Sequence, residues 1–126
     1  MKLQNTTITT INQMIVAIGV FMDTIPDDRS VANLPKVDRY KDEAIVAAHQ
    51  LVTATDVTLD EITNVITKCN EAAQVTVQQF GNSSNITVGS IGSLIVADYA
   101  SIVMMLKVEM NRPDVISSRN LQQYES

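Results

Sequence analysis

The chain has no tryptophan, one cysteine and one histidine among its 126 residues. Each scarcity removes a class of function. A single cysteine, Cys69, leaves no internal disulfide, which excludes a disulfide-stapled secreted scaffold and points to a reducing, cytoplasmic setting. With one His and one Cys, a zinc site built from those ligands cannot be completed within one subunit. The Glu-x-x-His pairs of di-iron bundles are missing as well. No metal and no cofactor is expected. Aromatic residues make up 4% of the chain, so stacking on bases or sugars has only Phe21, Tyr40, Phe80, Tyr99 and Tyr124 to draw on.

Positive charge is also short. Nine Lys and Arg stand against fourteen Asp and Glu, a net charge of −5. Binding a nucleic-acid backbone needs clustered cations, so no nucleic-acid partner is expected. Acidity this mild is an equally weak case for DNA mimicry. From Ala72 to Ala97 there is no charged residue, and Asp98 is the only charge before Lys107; charges gather instead between Asp27 and Glu71. The opening "MKLQNTTITT" carries one Lys, and no small-residue cleavage site follows the next apolar run, so a signal peptide is not expected. Asn5, Asn82 and Asn85 head N-x-S/T triplets, which without secretion read as chance matches.

What the chain has in quantity is aliphatic. Val and Ile together number 28, and the composition is 45% hydrophobic and 18% charged, that of a globular domain. One domain of this length can bury roughly two-thirds of its unfolded surface. Ile8, Ile11, Ile15, Ile18, Met22 and Ile25 are spaced 3, 4, 3, 4, 3, the heptad seam of a helix. Asn5 or a neighbouring Thr would cap it and Pro26 would stop it, with "PDDRS", 26–30, as a loop. A second helix begins near Pro35 and carries Val37, Tyr40, Ala44, Ala47, Leu51 and Ala54 at the same spacing, the stripe widened by Ile45, Ala48 and Val52, with Arg39 and Glu43 placed to pair on its wet face. In the third, "TLDE" makes Thr58 an N-cap and Glu61 its capping-box partner; Ile62, Ile66, Cys69, Ala73, Thr76 and Phe80 follow, and Gly81 closes it. A fourth runs from about Ser90 to Asn111 on Ile91, Ile95, Tyr99, Ile102, Leu106 and Met110, ended by Pro113.

Four amphipathic helices on short loops predict an all-α fold, an antiparallel four-helix bundle over residues 1–112 with a polar C-terminal tail over 113–126. The alternative is an α+β fold with a hairpin near residues 75–88, where Val75 and Val77, then Ile86 and Val88, alternate with polar residues.

Catalytic constellations are weak. Asp42, His49 and Asp56 lie seven apart and can share a helix face, which reads as a solvated face rather than a metal site. Cys69 falls on the third helix's apolar stripe and reads as a buried structural thiol, since reactive thiols need an open, electropositive setting. Asp27–Asp28 suits turn geometry, and Asp60 and Glu61 suit the positive end of a helix dipole. "VGSIGS", 88–93, lacks the Lys of a phosphate loop; its amides could meet an anion at a helix start, but it reads as a flexible helix entrance capped by Ser90. The chain is therefore expected not to be an enzyme.

The remaining signal is surplus apolar surface. Met14, Val16, Ala17, Val20 and Phe21 lie off the first seam, and Leu94, Val96, Val103, Met104 and Met105 lie beside the fourth stripe. A helix apolar all round is central in its fold, in a membrane, or in an interface. The "MIVAIGVFM" run spans about half of what a bilayer requires, and Asp98 sits in the middle of the longer fourth segment. A membrane is thus the weaker reading. The expected interface is Met14, Val16, Val20, Phe21, Leu94, Val103 and Met104, the partner the chain itself, another protein, or both. The function expected is that of a non-enzymatic assembly or interaction protein, a structural subunit, adaptor or inhibitor of the kind that suits a phage or mobile element. A rival is a small-ligand binder or enzyme with an inter-subunit pocket near His49, Tyr40 or "VGSIGS".

Overall fold

The computed structural model of the chain describes residues 1–25, 31–81 and 83–115. Four helices follow in order: α1 Asn5–Asp23, α2 Leu34–Thr53, α3 Leu59–Phe80 and α4 Ile86–Met110. Among the described residues there is no strand, so the 75–88 hairpin does not form. Val75 and Val77 lie in α3, and Ile86 and Val88 open α4.

The helices pack in a ring, α1 on α2, α2 on α3, α3 on α4 and α4 on α1. Contacts at the ends fix their directions. Thr7 near the start of α1 meets Glu109 near the end of α4. Phe80 at the end of α3 lies against Gly92 near the start of α4. The bundle is antiparallel, up-down-up-down, as short loops require.

Its core is aliphatic. Ile11 and Ile18 from α1, Ala44 and Ala48 from α2, Ile62 and Cys69 from α3, and Ile95 and Leu106 from α4 are almost wholly buried. Each Ile or Leu so buried contributes about 1.5–3 kcal/mol. Tyr99 is the largest buried side chain. The core stripes are turned slightly from the expected ones. Val65 and Ala72 go inward in place of Ile66 and Ala73, and on α2 the expected Ala48 and Val52 are buried while Ala47 is half-buried and Ala54 exposed, because each helix centres its buried face between two neighbours.

Local signals set the helix ends. Thr58 Oγ1 accepts from Glu61 N at 3.1 Å and Glu61 Oε1 accepts from Thr58 N at 3.0 Å, completing the capping box. Asn33 precedes α2 in the left-handed region, φ 49°, which Asn tolerates. Gln4, not Asn5, is the N-cap of α1. Arg39 lies 5.3 Å over the Tyr40 ring instead of pairing with Glu43. The chain stays packed beyond residue 112, since Val115 is buried.

The fourth helix begins earlier than expected. Asn85 caps it, its Oδ1 accepting from Thr87 N at 3.0 Å and Val88 N at 3.3 Å. The "VGSIGS" stretch is helix interior, not an entrance. Gly92 is required there by packing: a Cβ would stand 2.6 Å from Phe80 Cδ2 and 2.7 Å from its Cβ.

Candidate functional site

Charge divides the bundle into two sides. α1 carries no charged residue before its last, Asp23, and α4 carries only Asp98, Lys107 and Glu109. The ionic residues of the helices sit mainly on α2 and α3, including Lys41, which bridges Asp38 and Asp42 at 3.4 Å.

Exposed apolar side chains divide the same way. Eight large hydrophobics are exposed among the described residues, and six of them, Val16, Val20, Ile86, Leu94, Met104 and Val108, belong to α1 and α4. Val16 is 65% and Met104 66% exposed. The other two, Val46 on α2 and Val77 on α3, stand singly, Val46 beside Asp42, Glu43 and Lys68. Scattered exposed hydrophobics are ordinary, but a contiguous patch marks a contact surface. A shallow open groove of about 600 Å³ runs along α1, lined by Thr9, Asn12, Gln13, Val16, Ala17, Val20 and Phe21.

Asp98 is the one charge at the middle of α4. It lies eleven residues before Glu109, just over three helical turns, so both share the flank that meets α1. Its Oδ2 is buried without a hydrogen-bond partner, and desolvation pushes its carboxyl above the ordinary range.

The structure brings most of the expected interface residues to this side but not all. Val16, Val20, Leu94 and Met104 are exposed on it. Met14 and Phe21 are half-buried and pack against the core. Val103, at 7% exposure, is part of the core and leaves the candidate face. It lies eleven residues beyond Gly92, on the flank that meets α3. A helix flanked on two sides turns more than half of its circumference inward, and an apolar sequence does not show which half.

The catalytic candidates do not assemble. Cys69 is fully buried, and burial pushes its thiol up to about 12. His49 and Asp42 are exposed on α2. Asp56 is exposed in the α2–α3 link, where the Met1 ammonium beside it holds its carboxyl below the usual range. Asp27–Asp28 lies outside the described residues. Among the described residues no three His, Cys, Asp or Glu gather at metal-binding range. The amides of "VGSIGS" are within α4, not at its start, so they offer no anion site. Further cavities, of about 230 Å³ between the start of α1 and the end of α2 and about 390 Å³ between α2 and α3, are not lined by His49, Tyr40 or residues 88–93.

One buried polar cluster has no local sequence signal. Glu109, 1% exposed, accepts from Gln4 N at 2.9 Å and Thr7 Oγ1 at 2.6 Å, and its Oε2 faces Arg112 Nη1 at 3.0 Å as an ion pair. Arg112 Nη2 also donates to Lys2 O at 3.0 Å. The carboxylate thus stands at the N-terminus of α1, where the helix dipole favours it.

Comparison with protein-family models, with curated proteins and with solved structures returns no match. Among the described residues α4 is the one helix long and apolar enough to cross a membrane by length and composition; in the bundle it packs between α1 and α3.

Proposed function

We propose that the chain is a non-enzymatic helical interaction protein, of a reducing cytoplasmic setting, that works by docking its α1–α4 face against another polypeptide chain. The observation that carries this reading is the coincidence of two partitions: the side of the bundle that is poor in charge is the side that exposes six large apolar residues. Water meets that face at a free-energy cost of about 25 cal/mol per Å², which a covering chain recovers. A structural subunit, an adaptor or an inhibitor would each use such a surface.

A photo-crosslinking residue tests this in the native host. Placed at Met104 or Val20 it should give a defined adduct, and placed at Val46 it should give none. Equal labelling from all three positions, or none from Met104 and Val20, would remove the proposal. The adduct's mass separates a copy of the chain from a different protein.

The length and composition of α4 favour a second reading, a membrane-active helix. It requires α4 to leave the core with Asp98 at its centre, where a charge costs about 3 kcal/mol on insertion scales. Flotation with anionic vesicles tests it, and protein that stays wholly in the dense fraction rejects it.

A further inference from the structure

The outward stripe of α4 complements itself when a second copy runs antiparallel to it. Ala97, exposed, lies near its centre. With Ala97 opposite its own copy, Leu94 comes opposite Ala100 and Met104 opposite Ser90, so exposed large side chains meet exposed small ones. Ile86 and Val108 meet at the two ends of the stripe. The same centre holds for α1. Thr7 lies beside Glu109, so Val20, thirteen residues on in the antiparallel helix, is level with about residue 96 of α4, and Val16 with about residue 100. From Ile86 to Val108 the stripe runs about 33 Å, and two helices side by side are about 20 Å wide. The face is therefore roughly 650 Å², a little under the roughly 800 Å² per partner of a standard interface and the size of a concentration-dependent dimer.

We infer that the occupant of the α1–α4 face is a second copy of this chain, packed α4 against α4 antiparallel about Ala97, and that Asp98 makes the pairing tighter in acid. The inference rests on the docking face proposed above. The two-fold axis through Ala97 keeps both Asp98 side chains on one side of the seam, one residue to either side of the axis. Among the described residues no cation answers them. Lys107, nine residues on, is two and a half turns away and on the opposite side of α4. α1, which lines the Asp98 flank, has no ionisable side chain between Lys2 and Asp23, and Asp23 is exposed at the end of the helix. α3 meets the other flank, with Asp60, Glu61, Lys68, Cys69 and Glu71 as its ionisable groups. The second copy brings the same set. Two ionised carboxylates placed this way repel, and protonating either one relieves the repulsion.

Sedimentation velocity over the micromolar range tests the inference across a pH series falling from about 7.5. The mass should move from 13.8 kDa toward twice that value, with a dimer constant about three- to tenfold tighter in acid. The Asp98→Asn variant should dimerise at about pH 7.5 as the parent does in acid, with no further response to pH. This variant is the needed control, because the chain's pI of about 4.6 means acid lowers the net charge of both proteins. Ala97→Cys, oxidised with copper phenanthroline, should give a disulfide dimer, buried Cys69 being out of reach. Ala97→Arg should keep its helical circular dichroism and stay monomeric. A parent that is monomeric throughout overturns the inference. So does association that survives Ala97→Arg, or a pH response that survives Asp98→Asn. If these fail while Met104 still crosslinks to a different protein, the docking face stands and only the self-pairing falls.

Discussion

Asp98 shows how one residue can work against the fold that carries it. Its Oδ2 is buried without a partner, so ionisation is penalised in the folded chain. An acid whose folded pKa is raised stabilises the fold below its unfolded value, near 4, and loses that contribution as pH rises through the folded value. At neutral pH the ionised carboxylate therefore weakens the isolated bundle. Asp98→Asn should raise the thermal midpoint of the dilute protein at about pH 7 by roughly 2–4 °C, and the gap should close as pH falls below about 4. A variant no more stable than the parent at pH 7 would show that solvent reaches the carboxylate freely. Ionised Asp98 therefore opposes the isolated fold as well as the pairing inferred above.

At the scale of the helix, the glycines separate what is local from what is tertiary. Gly19 in α1 has nothing within 4 Å of an added Cβ, whereas at Gly92 in α4 the Cβ would strike Phe80. Gly19→Ala should stabilise the protein by about 0.5–1 kcal/mol through helix propensity. Gly92→Ala should destabilise it by about 1–3 kcal/mol, overpacking outweighing the same propensity gain. Urea denaturation of the pair decides the point, since propensity alone moves both in one direction. The contrast also marks what was legible beforehand. The capping box at Thr58 and Glu61 was readable because both partners lie within one turn. The seam through Ile11 and Ile18 was readable because its period is helical. "VGSIGS" reads as a helix entrance because glycine and serine signal loops, whereas the reason for Gly92 is a ring on another helix. Val103 belongs to the core and not to the candidate face, which the sequence does not show because α4 is apolar on almost every side and points in no single direction.

For the whole molecule the question is what closes the ring of helices, and Glu109 supplies the answer. It ties the end of α4 to the start of α1 across more than a hundred residues of chain. No pattern of periodicity or turn chemistry could have shown this. Its carboxylate satisfies the Gln4 amide and the Thr7 hydroxyl and holds Arg112, which reaches on to the Lys2 carbonyl. Breaking a buried ion pair by removing one partner leaves the other uncompensated and costs about 3–5 kcal/mol. Arg112 retains some solvent, so Glu109→Ala should sit near the lower end, about 3 kcal/mol, a fall in thermal midpoint of roughly 10 °C. Glu109→Gln keeps an acceptor for Gln4 and Thr7 and should lose less. Hydrogen exchange adds the test of mechanism: if Glu109 is a latch, the Ala variant should lose protection first at the start of α1 and the end of α4, with α2 and α3 little changed. Uniform loss across all four helices would mean the carboxylate supports the core as a whole. A latch of this kind would hold α1 and α4 in register, so the exposed valines of α1 and the stripe of α4 stay at one level on one face.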